Sequence, residues 1–120
     1  MLEEEIDFLI DTGAIRTAIL DRDAKRLGID FNNLPKQKYK MTGIGGPVET
    51  YSIKDAMLAF SADKDKRHAE TLEVLVLRHA EVNEKIERLP SLLGRDIIGK
   101  YHLIYSKPTR KIYLTDEGIP

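Results

Sequence analysis

The chain has 120 residues, no cysteine, 42% hydrophobic and 32% charged residues, and a formal net charge of −1. That is the length of one domain with apolar residues enough for a core, and the charge balance reads as a soluble chain with no basic excess to suggest nucleic acid. Disulfides and thiolate metal sites are excluded, and the longest apolar runs are far too short to cross a membrane.

No leader-like segment is expected at the start, and the lack of cysteine fits a cytoplasmic protein. His68, His79 and His102 show no metal-ligand spacing, so they read as ordinary strand or loop residues, and neither a metal nor a cofactor is expected.

After an acidic opening, residues 6–10 form an apolar run predicted as a strand, which ends in Asp11-Thr12-Gly13. Apolar surroundings disfavour the charge of a lone carboxylate, so an acid placed there needs a reason. One reason is local, since Asp-Thr-Gly is good turn chemistry and could simply cap a hairpin turn. Residues 17–20 read as a second strand. A short helix then begins at Asp21, with Leu20, Ala24 and Leu27 at helical spacing and Gly28 as its C-terminal stop. Residues 29–35 are a loop.

Residues 38–42 and 48–60 are the arms of an expected hairpin with Gly43-Ile44-Gly45-Gly46-Pro47 at its tip. The glycines let another chain approach closely, so the tip reads either as a loose turn or as a lid with an apolar finger at Ile44. A phosphate cradle is disfavoured, because no lysine–hydroxyl pair follows and the next segment reads as strand. Residues 61–67 are a charged turn, and residues 71–77 are apolar enough for a buried strand. Residues 79–88 fit a loop or a single helical turn whose charges face solvent. A short strand enters Gly94, a helix is expected over residues 95–101, and residues 101–105 and 111–115 form strands around a turn at Pro108. There is no repeat and no low-complexity linker, and the fold class expected is mostly β with two short helices.

Three stretches carry a resemblance. Leu9-Ile10-Asp11-Thr12-Gly13-Ala14 resembles the catalytic loop of the retropepsin family, the single-lobe aspartic proteases. Met41-Thr42-Gly43-Ile44-Gly45-Gly46 resembles the family's flap tip. Leu92-Leu93-Gly94-Arg95-Asp96-Ile97-Ile98 resembles the apolar-apolar-Gly motif that leads into its helix. The match spans about residues 6–115. Residues 24–29 and the C-terminal hairpin are more similar to cellular and prokaryotic members than to viral ones.

The resemblance implies a closed, barrel-like acid-protease fold and an aspartic endopeptidase in which two carboxylates share one proton around a water. The chain has one Asp-Thr-Gly, hence the expectation of a homodimer with Asp11 from each copy on a two-fold axis. Thr12 would bond across that axis. Gly13 would allow a sharp turn and, with Ala14, leave room for the substrate backbone. Gly43, Ile44, Gly45 and Gly46 would close over a peptide, and Ile15, Pro90 and Leu92 would help line its side-chain pockets; plain core packing is the alternative for Leu92 and the expectation for Leu93. The terminal strands would join the copies.

Two departures from the family pattern stand out. Ile15 and Arg16 replace the acids or serine common after the catalytic loop, so Arg95 is left to find another partner, Asp96 or a backbone carbonyl. Only ten residues precede Asp11, which reads as an abbreviated start or a piece of a longer chain. These departures keep a second reading open, a retropepsin-like peptide-binding or dimerisation module without turnover. A third reading is a β-rich domain with no site.

Overall fold

The structure is a computed structural model that describes residues 4–37, 41–43, 46–61 and 66–116. In chain order the elements are β1 (Phe8–Ile10), β2 (Ala18–Ile19), α1 (Asp21–Leu27), a 3₁₀ turn (Phe31–Asn33), β3 (Met41–Gly43), β4 (Gly46–Ser61), β5 (Arg67–His79), α2 (Glu84–Glu87), β6 (Ser91–Leu93), α3 (Arg95–Ile98), β7 (His102–Ser106) and β8 (Lys111–Thr115). Six strands form one sheet in the order β1-β6-β2-β5-β4-β3, and β7 and β8 form a separate pair.

The expectation of a mostly β fold with short helices holds, but closure into a barrel does not. β1 and β3 are the two edges of an open sheet. Closing a barrel needs strands long enough to tilt and stagger together, and β1, β2 and β6 have only two or three residues each.

The long hairpin is the body of the sheet. β4 and β5 pair antiparallel from Val48↔His79 to Ser61↔Arg67, with one irregularity between Ile53 and Ala56. Asp55 sits there with φ 57°, a left-handed residue in a bulge. Alternation along β5 explains its unbroken apolar run. Val74 and Val76 join Ile19, Ala24 and Tyr51 in one cluster, while Leu75 joins Ala18 and Leu20 in another. Successive side chains point to opposite faces, so both faces of β5 are covered.

The short helices are pinned at their ends. Helix α1 carries Asp21 and Asp23 in its first turn, where carboxylates suit the helix dipole, and stops at Gly28 with φ 66°. Residues 79–88 contain a true helical turn, capped by Asn83 Oδ1 accepting from the Ile86 amide at 2.9 Å and anchored by the buried Ile86. The expected helix over 95–101 is shorter, ending at Ile98. Its continuation is a tightened turn in which Lys100 and Tyr101 donate to the carbonyls of Ile97 and Ile98.

Helix α3 supplies Ile97 and Ile98 to a third cluster with Leu93 and Leu114, against which Ile10, Phe8 and Leu103 pack. Ile97 is completely buried, worth about 2 kcal/mol of apolar burial. Tyr101 beside this cluster donates to Glu70 at 2.7 Å. Burial and that carboxylate push its phenol up to about 12. Among the described residues, no helix is long and apolar enough to cross a membrane.

Candidate active site

β1 delivers Asp11 to the end of the sheet. Its three residues pair parallel with β6, Phe8↔Ser91, Leu9↔Leu92 and Ile10↔Leu93, and the Asp11 amide extends the ladder by donating to the Leu93 carbonyl at 3.0 Å. The chain then turns. The Ala14 amide donates to the Asp11 carbonyl at 3.1 Å, and the Gly13 amide donates to Asp11 Oδ1 at 2.9 Å. This is the turn chemistry expected of an Asp two residues before a Gly. It also fixes the carboxyl orientation and leaves Oδ2 free of any bond among the described residues. Asp11 is half-buried, and Thr12 and Gly13 are exposed.

The backbone of Gly13 is not left-handed, so the turn does not depend on positive φ. Space is what it supplies, since a Cβ there would lie 3.2 Å from Asp11 Oδ1.

The far side of the turn is fastened to the start of α3. The Arg95 amide donates to the Ala14 carbonyl at 2.8 Å, and the Asp96 amide to the Ile15 carbonyl at 3.2 Å. The approach is so close that a Cβ on Gly94 would fall 2.4 Å from the carbonyl carbon of Arg16. Glycine at 94 is therefore required by contact. Asp96, one of the two partners expected for Arg95, is occupied elsewhere. Its carboxylate accepts from the Thr17 amide at 3.0 Å and the Thr17 hydroxyl at 2.7 Å. Arg95 contributes its backbone N–H, and its side chain is exposed.

Arg16, where an acid or serine is common, reaches to β5 and donates to Glu73 Oε1 at 2.7 Å and the Glu73 carbonyl at 3.1 Å. Its charge is thereby matched. Ile15 is left 69% exposed beside the turn, and Leu9 on β1 is 53% exposed.

The other predicted site residues are distributed as follows. Leu92 pairs with Leu9 and Ala18 and packs on the Ala18–Leu20–Leu75 cluster, so its described contacts are with the core. Leu93 is buried, as expected. Pro90 is half-buried just before β6. Gly43 and Gly46 lie opposite each other where β3 and β4 pair. Ile44 and Gly45 lie outside the described residues. No backbone hydrogen bond among the described residues joins this hairpin to the Asp11 turn. A hollow of about 300 Å³ lies elsewhere, between α1, the 3₁₀ turn and the end of β5, lined by Ala24, Phe31 and Arg78 among others.

A family model described as "gag-polyprotein putative aspartyl protease" matches residues 3–100. The chain belongs to this retropepsin-like family. The crystal structure of a retropepsin-like aspartic protease from Rickettsia conorii matches the retropepsin-like chain with a TM-score of 0.56 at 22% identity. The match covers 91% of this chain and 78% of that one, and likeness at that identity speaks for the fold. No curated protein matches.

Sequence reasoning missed the supports of the retropepsin-like turn. Thr17, Asp96, Asp23 and Ser91 are polar groups buried or half-buried behind it. Ser91 accepts from the Leu20 amide at 3.0 Å and donates to Asp23 Oδ2 at 2.6 Å. Desolvation opposes the charge of Asp23, but the Arg22 guanidinium and the Ser91 hydroxyl outweigh it and hold the carboxyl below the ordinary 3.8. Asp21 likewise accepts from the His79 amide at 3.0 Å and contacts His79 Nδ1, tying α1 to the end of β5. The partners lie 58 to 79 residues apart, beyond any local pattern. Gly94-Arg95-Asp96 was the one visible signal.

Proposed function

We propose that the protein is an aspartic endopeptidase that works as a homodimer on peptide substrates. The observation that carries this reading is Asp11, a half-buried carboxyl with one oxygen held by the Gly13 amide, on a turn fastened at both ends to one segment in a chain of retropepsin-like family. One chain offers one such turn, so a second copy would complete the site. Two carboxylates facing one water cannot both ionise cheaply, as in aspartic proteases generally. They share a proton and titrate as a pair. The ionised member takes a proton from water as general base, and the protonated member polarises the scissile carbonyl as general acid.

The rest of the molecule supports this reading. Thr12 is exposed beside Asp11, available to bond across the two-fold axis. The β3–β4 hairpin would close over an extended peptide that pairs its backbone with strand edges. β7 and β8 pair only with each other among the described strands. A two-stranded sheet alone is marginal, and pairing with the same strands of a second copy would relieve its edges. Exposed Ile15 and the neutralised Arg16 favour an apolar rim and apolar substrate side chains.

The test is cleavage of a diverse peptide mixture, read by mass spectrometry from pH 3 to 7, with Asp11→Asn beside the parent. Cuts made by the parent and lost by about 10²–10⁴-fold in the variant are expected, the usual worth of a general acid–base group. The variant should remain folded and dimeric. Cleavage retained in it would overturn the proposal, and a folded parent dimer that binds peptides without cutting them would favour the binding-module reading.

A further inference from the structure

We infer that Thr17 and Asp96 form a positioning pair that sets where the Asp11 turn stands; neither residue touches a substrate. The inference deepens the function proposed above and rests on it for its kinetic consequence. Its structural consequence is independent.

Thr17 spends every polar atom it has. Its amide and its hydroxyl donate to the Asp96 carboxylate. The same hydroxyl oxygen accepts from the Gly94 amide at 3.1 Å, and its carbonyl accepts from the Leu75 amide at 3.2 Å. The residue has no exposed surface, so a hydroxyl removed there leaves the Gly94 N–H without an acceptor. Asp96 in turn accepts from Thr17 and from the Ile97 amide at 2.9 Å, which suits an ionised carboxylate with several acceptor sites.

The connectivity gives these bonds their leverage. The Asp11 amide is held by Leu93, and the carbonyls of Ala14 and Ile15 by Arg95 and Asp96. Both ends of the turn therefore hang on residues 93–96. The pair is the side-chain crosslink between that segment and the strand that follows the turn. Backbone amides of α3 grip carbonyls of residues 14 and 15, and the Asp96 side chain reaches back to grip the amide of residue 17. The two opposed grips fix the sliding position of α3 along the turn as well as its distance. A helix of four residues has little rigidity of its own, so without the crosslink its first turn is free to slip and carry Asp11 with it.

The test compares Thr17→Val, which keeps the volume and deletes the hydroxyl, with Thr17→Ser, which keeps the hydroxyl. Two readouts are taken on folded protein well below the melting temperature. In Thr17→Val, kcat should fall by about 10–100-fold with KM within about 3-fold, the pattern of a misplaced reacting group. Amide exchange at Asp11, Gly13 and Ala14 should quicken by about 10-fold more than in β4 and β5, as local opening replaces a held turn. Thr17→Ser should restore both. A role in stability alone predicts a lower melting temperature with unchanged kcat and uniformly faster exchange, and that result overturns the inference. If the parent cleaves nothing, the function reading fails and the exchange comparison still decides this one. If Thr17→Val does not fold, Asp96→Asn takes its place, since its side chain is partly exposed and its amide loses one acceptor oxygen. Faster exchange confined to the turn supports the pair, and parental exchange overturns it.

Discussion

In the β4–β5 hairpin, strands of 16 and 13 residues pair antiparallel across a short connection. Around Asp11 the strands have two or three residues, and β1–β6 and β2–β5 are parallel pairs between distant segments. The hairpin is held by its ladder and by apolar faces, so each residue adds a little and none decides the whole. The Asp11 region has too few ladder bonds for that. It is held by side chains that bond to backbone amides across 71 to 79 residues of chain, Ser91 to Leu20 and Asp96 to Thr17. A scaffold tolerates distributed, replaceable contacts, whereas the catalytic role proposed for Asp11 would need a fixed address, and a few specific bonds supply one.

This contrast can be broken most forcefully at Ile97, fully buried on α3 under the turn. Ile97→Ala should cost about 2–5 kcal/mol, the lost transfer energy plus a cavity, measured by urea denaturation. Gly94→Ala comes next. The added carbon meets Arg16 backbone at 2.4 Å, and forcing the two segments apart should cost about 1–3 kcal/mol. It should also lower peptide cleavage in molecules that remain folded, because the same displacement moves Asp11. A loss of stability with full activity would mean that the address of Asp11 does not depend on α3.

Acid should weaken the Asp11 side through Asp23. Its carboxyl lies below the ordinary 3.8 in the folded protein, so the unfolded chain takes up its proton first. The contribution is therefore complete above that value and is lost as pH falls through it toward the lower folded value. Thermal melts from pH 6 to 2 should show a shallower acid decline in Asp23→Asn than in the parent, from a lower starting stability. The smallest effect belongs to the hairpin. Met57 on β4 is 73% exposed, and Met57→Ala should stay within about 0.5 kcal/mol of the parent. A larger loss would show that this face of the hairpin is covered in solution.

The elements most legible in sequence were those whose signal is local. The strand before Asp11, the stop at Gly28, the arm from Val48 and the C-terminal hairpin all follow from apolar alternation, turn residues or a left-handed glycine. Residues 79–88 stayed ambiguous because one helical turn has too few positions to show a period, and Ile86 as its anchor is apparent only once the core is assembled. The helix after Gly94 is shorter than expected because it ends at Gly99, a weak helix former that serves as its C-cap, and the chain tightens into a turn after Ile98.

By itself the sequence determined the mostly β class, the turn that presents Asp11, the pairing of the C-terminal strands and, through three short motifs, the family. Local chemistry is enough for these, because Asp-Thr-Gly folds its own hydrogen bond and alternation selects its own strand face. Tertiary structure alone decided that the sheet stays open, that Gly94 is required by contact, that Asp96 serves Thr17 instead of Arg95, and that Arg16 is matched by Glu73. Each of these depends on which distant segments come within 3 Å of one another, and a bond between residues 17 and 96 leaves no periodic trace in the chain that makes it.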